Sequence, residues 1–180
     1  MRTKLLLLIA LVLLPVFGGA QTVDKQKVNT FAAAVAHAEG FGKRHAIPTR
    51  YHNPGDLKTI PAAKKLPGQK AIGKGGHVIF NNDDAGWNAL RTLITKMGTG
   101  ESRHFKPNMT LVQVARMYAG NWRPWLKIVS TELGVPPTTR VCDLLAPDPE
   151  PEPPVVPFTT SVAELNLPQH TPVLPVLSQN

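Results

Sequence analysis

Apolar residues recur at helical spacing early and late in the chain and lose that rhythm between roughly positions 40 and 76. In VNTFAAAVAHAEGFG, Val28, Ala32 and Val35 lie four and three apart and share one stripe, with Phe31 and further alanines beside it. This pattern predicts a first helix over 24–39, with Thr22 or Asp24 as its cap and Gly40 and Gly42 just past its end. The next position on the stripe, four beyond Val35, is an acid, Glu39. Residues 40–76 are rich in Gly, Pro and Lys, and no helix is expected there. HVIF at 77–80 reads as a strand, and the glycines before it supply a turn from a partner near 69–73. NNDDAG offers caps, Asp83 and Asp84 among them, for a second long helix, WNALRTLITKM, striped by Trp87, Leu90, Ile94 and Met97. LVQVARMYA, ended by Gly120, and WLKIVSTEL, led by Pro124 and closed by Gly134 and Pro136, read as two more helices. Trp87 and Trp125 fall on apolar stripes and read as core. The expected fold class is α+β, mostly helical, with a small hairpin or loop lobe between helices one and two.

Composition divides the rest of the chain. Residues 1–20 have the form of a secretory signal: Arg2 and Lys4, the run LLLLIALVLL, then the small residues Gly18, Gly19 and Ala20. The run is short for a membrane span, so removal near Gln21 is expected and no stable membrane anchor. Cys142 is the single cysteine, which excludes an intramolecular disulfide and favours bacterial export to the periplasm or beyond. Residues 22–145 hold 18 Lys and Arg against 8 Asp and Glu, a formal charge of +10. Residues 146–180 hold no Lys or Arg, 4 Asp and Glu, and nine of the 18 prolines. That tail is expected to be extended and disordered, with SVAELNL offering a docking motif for a protein partner. The organisation expected is a signal at 1–20, one domain at 21–145 and a Pro-rich acidic tail at 146–180.

The positive domain points to an anionic partner at the level of encounter, with plain solubility as the alternative. Its basic residues are scattered, and neither zinc-finger spacing nor an RNA-recognition signature is present, so nucleic acid is not the expected partner. The six histidines show no ligand pairing with Cys or carboxylates, and GKGG at 73–76 lacks the context of a phosphate loop; neither a metal nor a cofactor is expected. The candidate chemistry rests on Glu39. A carboxyl on the buried side of a helix's last turn is desolvated and lies near the negative end of the helix dipole, and both effects favour the protonated form. Such a group can act as a general acid. The alternative reading is that Glu39 marks the polar edge of an amphipathic helix. Asp56 is the only other acid between positions 40 and 82. In Asn-Pro-Gly-Asp it reads first as a turn residue bonding nearby backbone N–H groups, and second as a partner carboxylate.

Four blocks, AEGFG, TRYHNPGDLK, HVIFNNDDAGWNALRTLI and MYAGNWRPWLKIVSTELGV, follow one another over about residues 28–140. In that order they resemble the signatures of a lysozyme-like group of bacterial and phage wall-degrading proteins related to lytic transglycosylases and goose-type lysozymes. The resemblance implies a two-lobed fold with a peptidoglycan strand in the cleft between lobes. It also implies that Glu39 protonates the leaving oxygen of a β-1,4 bond between N-acetylmuramic acid and N-acetylglucosamine. Glycoside hydrolases usually need a second carboxylate. Lytic transglycosylases instead let a hydroxyl of the sugar close a 1,6-anhydro ring, with one Glu serving as acid and then base. The scarcity of acids leans to the lytic route, with hydrolysis through Asp56 as the other. Arg50, Asn53, Tyr118, Asn121 and Trp122 are the candidate sugar contacts, through charge, amide or ring stacking; for Asn53 bracing of the turn, and for Tyr118 a core position, are the competing readings. Three departures from the pattern stand out: Gly40 where the transglycosylases have Ser, His52 in place of Asn, and no Gly-Leu-Met-Gln segment. A non-catalytic peptidoglycan-binding or wall-scaffolding protein is the alternative function.

Overall fold

In the computed structural model, which describes residues 22–59, 64–149 and 151, the Asp24 carboxylate accepts a hydrogen bond from the Lys27 N–H at 2.8 Å and opens the first helix. This helix, α1 (Lys25–Ala38), buries Val28, Phe31, Ala32, Val35 and two further alanines. The alanines present a shallow face that lets neighbouring helices approach closely. Two long helices pack there, α3 (Asp83–Thr99) and α5 (Trp122–Leu133), and α4 (Leu111–Tyr118) packs in turn on α5. Leu90, Ile94 and Met97 of α3, Leu111 and Val114 of α4, and Trp125 and Val129 of α5 complete the core. The domain is α+β and mostly helical, with one two-stranded antiparallel sheet.

That sheet pairs β1 (Gln69–Ile72) with β2 (Val78–Phe80), Gln69 opposite Phe80 and Ile72 opposite Val78, with a bulge between Gln69 and Ala71. Val78 and Phe80 alternate into the core, as a half-buried strand should. The reversal between the strands is a single 3₁₀ turn, Lys74–Gly76, in which Gly75 takes φ +73°. The hairpin lies between the first two long helices, where the glycines before HVIF place it.

Several local details differ from expectation. A four-residue helix, α2 (Ile47–Arg50), occupies part of the segment expected to hold none; Pro48 presets its first turn, and four residues are too few for an apolar period. The cap of α3 is Asn82, whose side-chain oxygen accepts from the Ala85 N–H at 2.9 Å; Asp83 and Asp84 lie in the first turn, and Asp83 pairs with His52. The helix led by Pro124 begins two residues earlier, at Trp122. A last short helix, α6 (Val141–Leu145), closes the domain: Val141 and Leu145 are fully buried, and the Leu145 carbonyl accepts from the Asp24 N–H at 2.8 Å. The expected signal at 1–20 and the expected tail beyond Pro151 lie outside the described residues. No helix among the described residues is long and apolar enough to cross a membrane.

The turn between α2 and the hairpin is fixed by one buried side chain. Asn53 is 0% exposed. Its amide donates to the Leu57 and Val78 carbonyls at 2.9 Å each, and its oxygen accepts from the Leu57 N–H at 2.8 Å. The first turn of α3 lies directly on this segment: a Cβ on Gly86 would stand 1.9 Å from the His52 carbonyl oxygen. Replacing Asn53 with Ala strips the Leu57 N–H of its partner and takes a donor from each of the Leu57 and Val78 carbonyls, which costs about 3 kcal/mol. Asn53→Ala is therefore expected to lower the urea midpoint strongly at an unchanged slope; a midpoint equal to wild type would show that water or a shifted backbone satisfies those groups.

Candidate active site

Glu39 is the residue that ends α1. Its backbone is still helical (φ −78°, ψ −8°) and its N–H reaches the Val35 carbonyl at 2.9 Å. Gly40 then takes φ +77°, a left-handed conformation that glycine adopts freely and serine does not. The position of Glu39 on the apolar stripe leaves its carboxyl half-buried, lining an open cleft of about 600 Å³. The walls come from the end of α1, the turn Gly55–Lys58, and the junction of α4 with α5.

Burial, and then the charge of Asp56, push the Glu39 carboxyl from an ordinary value of 4.5 up to about 7, against smaller opposing effects of Trp125 and Lys58. The indole nitrogen of Trp125 is buried and has no partner at full hydrogen-bond geometry among the described residues. Its N–H nevertheless faces the Glu39 carboxyl and favours the ionised form, an electrostatic contact looser than a hydrogen bond. Trp125 is core, as its stripe indicated, and it also forms part of the cleft wall.

Asp56 lines the same cleft. Its backbone is in the left-handed region (φ +46°), as a turn residue's can be, but its carboxylate does not bond the turn. Oδ1 instead accepts from Nδ1 of His77 at 2.6 Å, and both side chains are largely out of solvent. The turn role expected for this side chain is therefore corrected: the Leu57 N–H and carbonyl are bonded by Asn53, and the Asp56 carboxylate reaches across to the strand. His77 is a residue that the sequence did not bring forward. Its partner is 21 positions away, and the only local hint is that alternation turns it away from buried Val78 and Phe80.

Of the five candidate sugar contacts, Tyr118 and Asn121 line the cleft. Tyr118 joins both of its readings. Its ring packs on Trp125 and Phe105, with centroids 5.3 and 6.2 Å apart, and its hydroxyl donates to the Gly55 carbonyl. Burial, then the charges of Glu39 and Asp56, raise its pKa well above the ordinary value, so it stays a neutral donor. Asn53 spends its amide on the backbone and is closed to a ligand. Arg50 lies over the Tyr51 ring, and Trp122 is stacked against Arg116 and Arg123, 5.0 and 4.6 Å from the ring centre; none of these lines the cleft. Lys58 and His104, not singled out in the sequence, add basic side chains to its walls. Among the described residues no group of three or more His, Cys, Asp or Glu converges as metal ligands would. Compared with protein-family models, curated proteins and solved structures, the chain matches none.

The raised carboxyl has a stability consequence. Below pH 4.5 Glu39 is protonated in both folded and unfolded chains and costs nothing; between 4.5 and 7 the unfolded chain loses its proton first, so stability falls, and above 7 the deficit is complete. Glu39→Gln is expected to melt like wild type at pH 4 and above it at pH 8. The difference is about 1–2 kcal/mol once partial solvent access is allowed for. Thermal melts across that range check it; a constant difference would mean that Glu39 titrates normally.

Proposed function

We propose that this chain cleaves the glycan strands of peptidoglycan, with Glu39 as general acid, and that the cleft is the substrate channel of a lysozyme-like, two-lobed fold. The observation that carries the reading is a carboxyl held protonated near neutral pH beside a second carboxylate in an open cleft. A protonated Glu39 can give its proton to the bridging oxygen of a β-1,4 bond as the C1–O bond breaks and positive charge grows on the ring. A pKa near the working pH lets the same group, once ionised, take a proton back in the second step.

Two second steps fit one Glu. In the lytic route the C6 hydroxyl of the muramic sugar attacks C1, its proton passes to Glu39, and a 1,6-anhydro product leaves. The scarcity of acids between positions 40 and 82, where Asp56 stands alone, supports this route. In the hydrolytic route a water attacks C1 and the product carries a reducing end; Asp56, whose carboxylate lines the cleft with Glu39, supports it. Tyr118 and Asn121 are the side chains placed to meet the sugar, by ring and amide. A charge of +10 over residues 22–145 suits an anionic wall polymer, and the signal-like start suits export to the periplasm or outside the cell.

Digestion of purified sacculi, read by mass spectrometry, tests this reading. Wild type is expected to release muropeptides, and Glu39→Gln to lower turnover by about 10³-fold while leaving sacculus binding intact. Anhydro ends identify the lytic route and reducing ends the hydrolytic one. A folded wild type that pellets with sacculi yet releases nothing would overturn the enzyme reading in favour of a wall-binding protein. Because the acid must be protonated, kcat/KM on a soluble glycan is expected to fall as pH rises through about 7. A rate flat from pH 6 to 9 would exclude Glu39 as the acid.

A further inference from the structure

Asp56 lines the cleft and His77 stands behind it, and their pairing has no part in the backbone fold that would explain it. The turn at 53–57 is already closed by Asn53 and by the Asp56 N–H on the Asn53 carbonyl at 2.9 Å. β2 is already held by its ladder and by the Val78 N–H on the Leu57 carbonyl at 2.8 Å. Yet Asp56 adopts a left-handed backbone, which costs a non-glycine residue about 1 kcal/mol, and spends one carboxylate oxygen on an imidazole. The ring packs against the hairpin turn: a Cβ at Gly75 would crowd it, standing 3.2 Å from Cδ2 and 3.3 Å from Nε2 of His77. The backbone of His77 is itself fixed by an antiparallel bridge to Lys58.

We propose that His77 is a positioning residue for glycan cleavage: its Nδ1–H holds one oxygen of Asp56, so that the carboxylate stays in the cleft beside Glu39 instead of folding back onto its turn. The inference rests on the cleavage reading above and adds a residue to it. Nδ1 donates to Asp56 whether the imidazole is neutral or protonated, so the geometry does not depend on its charge. An Asp in a turn left to itself bonds local N–H groups and swings with the loop. Held by His77, Asp56 presents fixed negative charge where the sugar ring turns positive, and it discourages Glu39 from losing its proton early. Lys58 is the opposing charge in the same wall but makes no ion pair with Asp56 among the described residues, and the Tyr118 hydroxyl is spent on the Gly55 carbonyl.

The test uses sacculus digestion and a soluble glycan, with wild type and Glu39→Gln in parallel. His77→Phe, which removes the donor, is expected to lower kcat about 10²-fold with KM changed by no more than about twofold. His77→Asn, whose amide nitrogen falls near Nδ1, is expected to recover most of kcat, whereas His77→Gln, which carries its donor one methylene further, is not. In an Asp56→Asn background His77→Phe is expected to add little, since both act through one carboxylate. Should the Phe variant melt much lower than wild type, the Asn and Gln variants carry the comparison. Wild-type kcat in His77→Phe, equal losses in the Asn and Gln variants, or full additivity with Asp56→Asn would each overturn the proposal while leaving Glu39 in place. An inactive wild type, or an active Glu39→Gln, would instead remove the cleavage reading and this inference with it.

Discussion

The buried amide of Asn53 is the interaction on which the rest of the cleft depends. It is fully enclosed; two of its hydrogen bonds close the turn on Leu57 and the third ties that turn to Val78 of β2. Each group that the turn presents to the cleft inherits its place from that clamp. The Gly55 carbonyl meets the Tyr118 hydroxyl, Asp56 points toward His77, and Leu57 pairs its N–H and carbonyl inward. Because His77 directly precedes Val78, the same amide also sets where the imidazole stands. A single polar side chain with all its bonds made inside a low-dielectric interior is stiff, and its neighbours are correspondingly preorganised.

Against that fixed wall stands a helix end. Glu39 comes from α1, whose alanine-rich face is held by α3 and α5, so its backbone is set by the core while its carboxyl feels the charge of Asp56 on the turn. Burial and the Asp56 charge pull its proton affinity up, and Trp125 and Lys58 pull it part of the way down. The balance leaves a carboxyl able to exchange a proton near neutrality, which is what a group serving as acid and then base requires. Tyr118 links the walls: its ring stacks on Trp125 and its hydroxyl reaches the turn.

Much of this was legible in the sequence, for reasons that can be located. The long helices, the hairpin and the place of Glu39 on a stripe follow from local periodicity and from capping and turn residues, which act within a few positions. Short helices escaped because four or five residues carry no period, as at Ile47–Arg50 and Val141–Leu145. The Asp56–His77 pair escaped because its partners are 21 positions apart and their meeting depends on the hairpin register. Local chemistry gave Asp56 a sensible turn role, which the Asn53 amide had already filled. Trp125 shows the converse limit: a core position and a cleft wall are not exclusive, and a stripe reports only the first. Arg50 and Trp122 lie outside the cleft lining, and their cation–π partners are Tyr51 for the one and Arg116 and Arg123 for the other.

The central claim is that the protein holds a carboxyl protonated near neutral pH at the end of α1. Carbon-13 NMR titration of the side-chain carboxyl of Glu39 in the full chain, assigned by its disappearance in Glu39→Gln, measures this without reference to any substrate. A midpoint at about 7 is the expected result. A midpoint near 4.3, the range of an unperturbed glutamate, would contradict the account, because the carboxyl would then be ionised and solvated at neutral pH and unable to act as the acid.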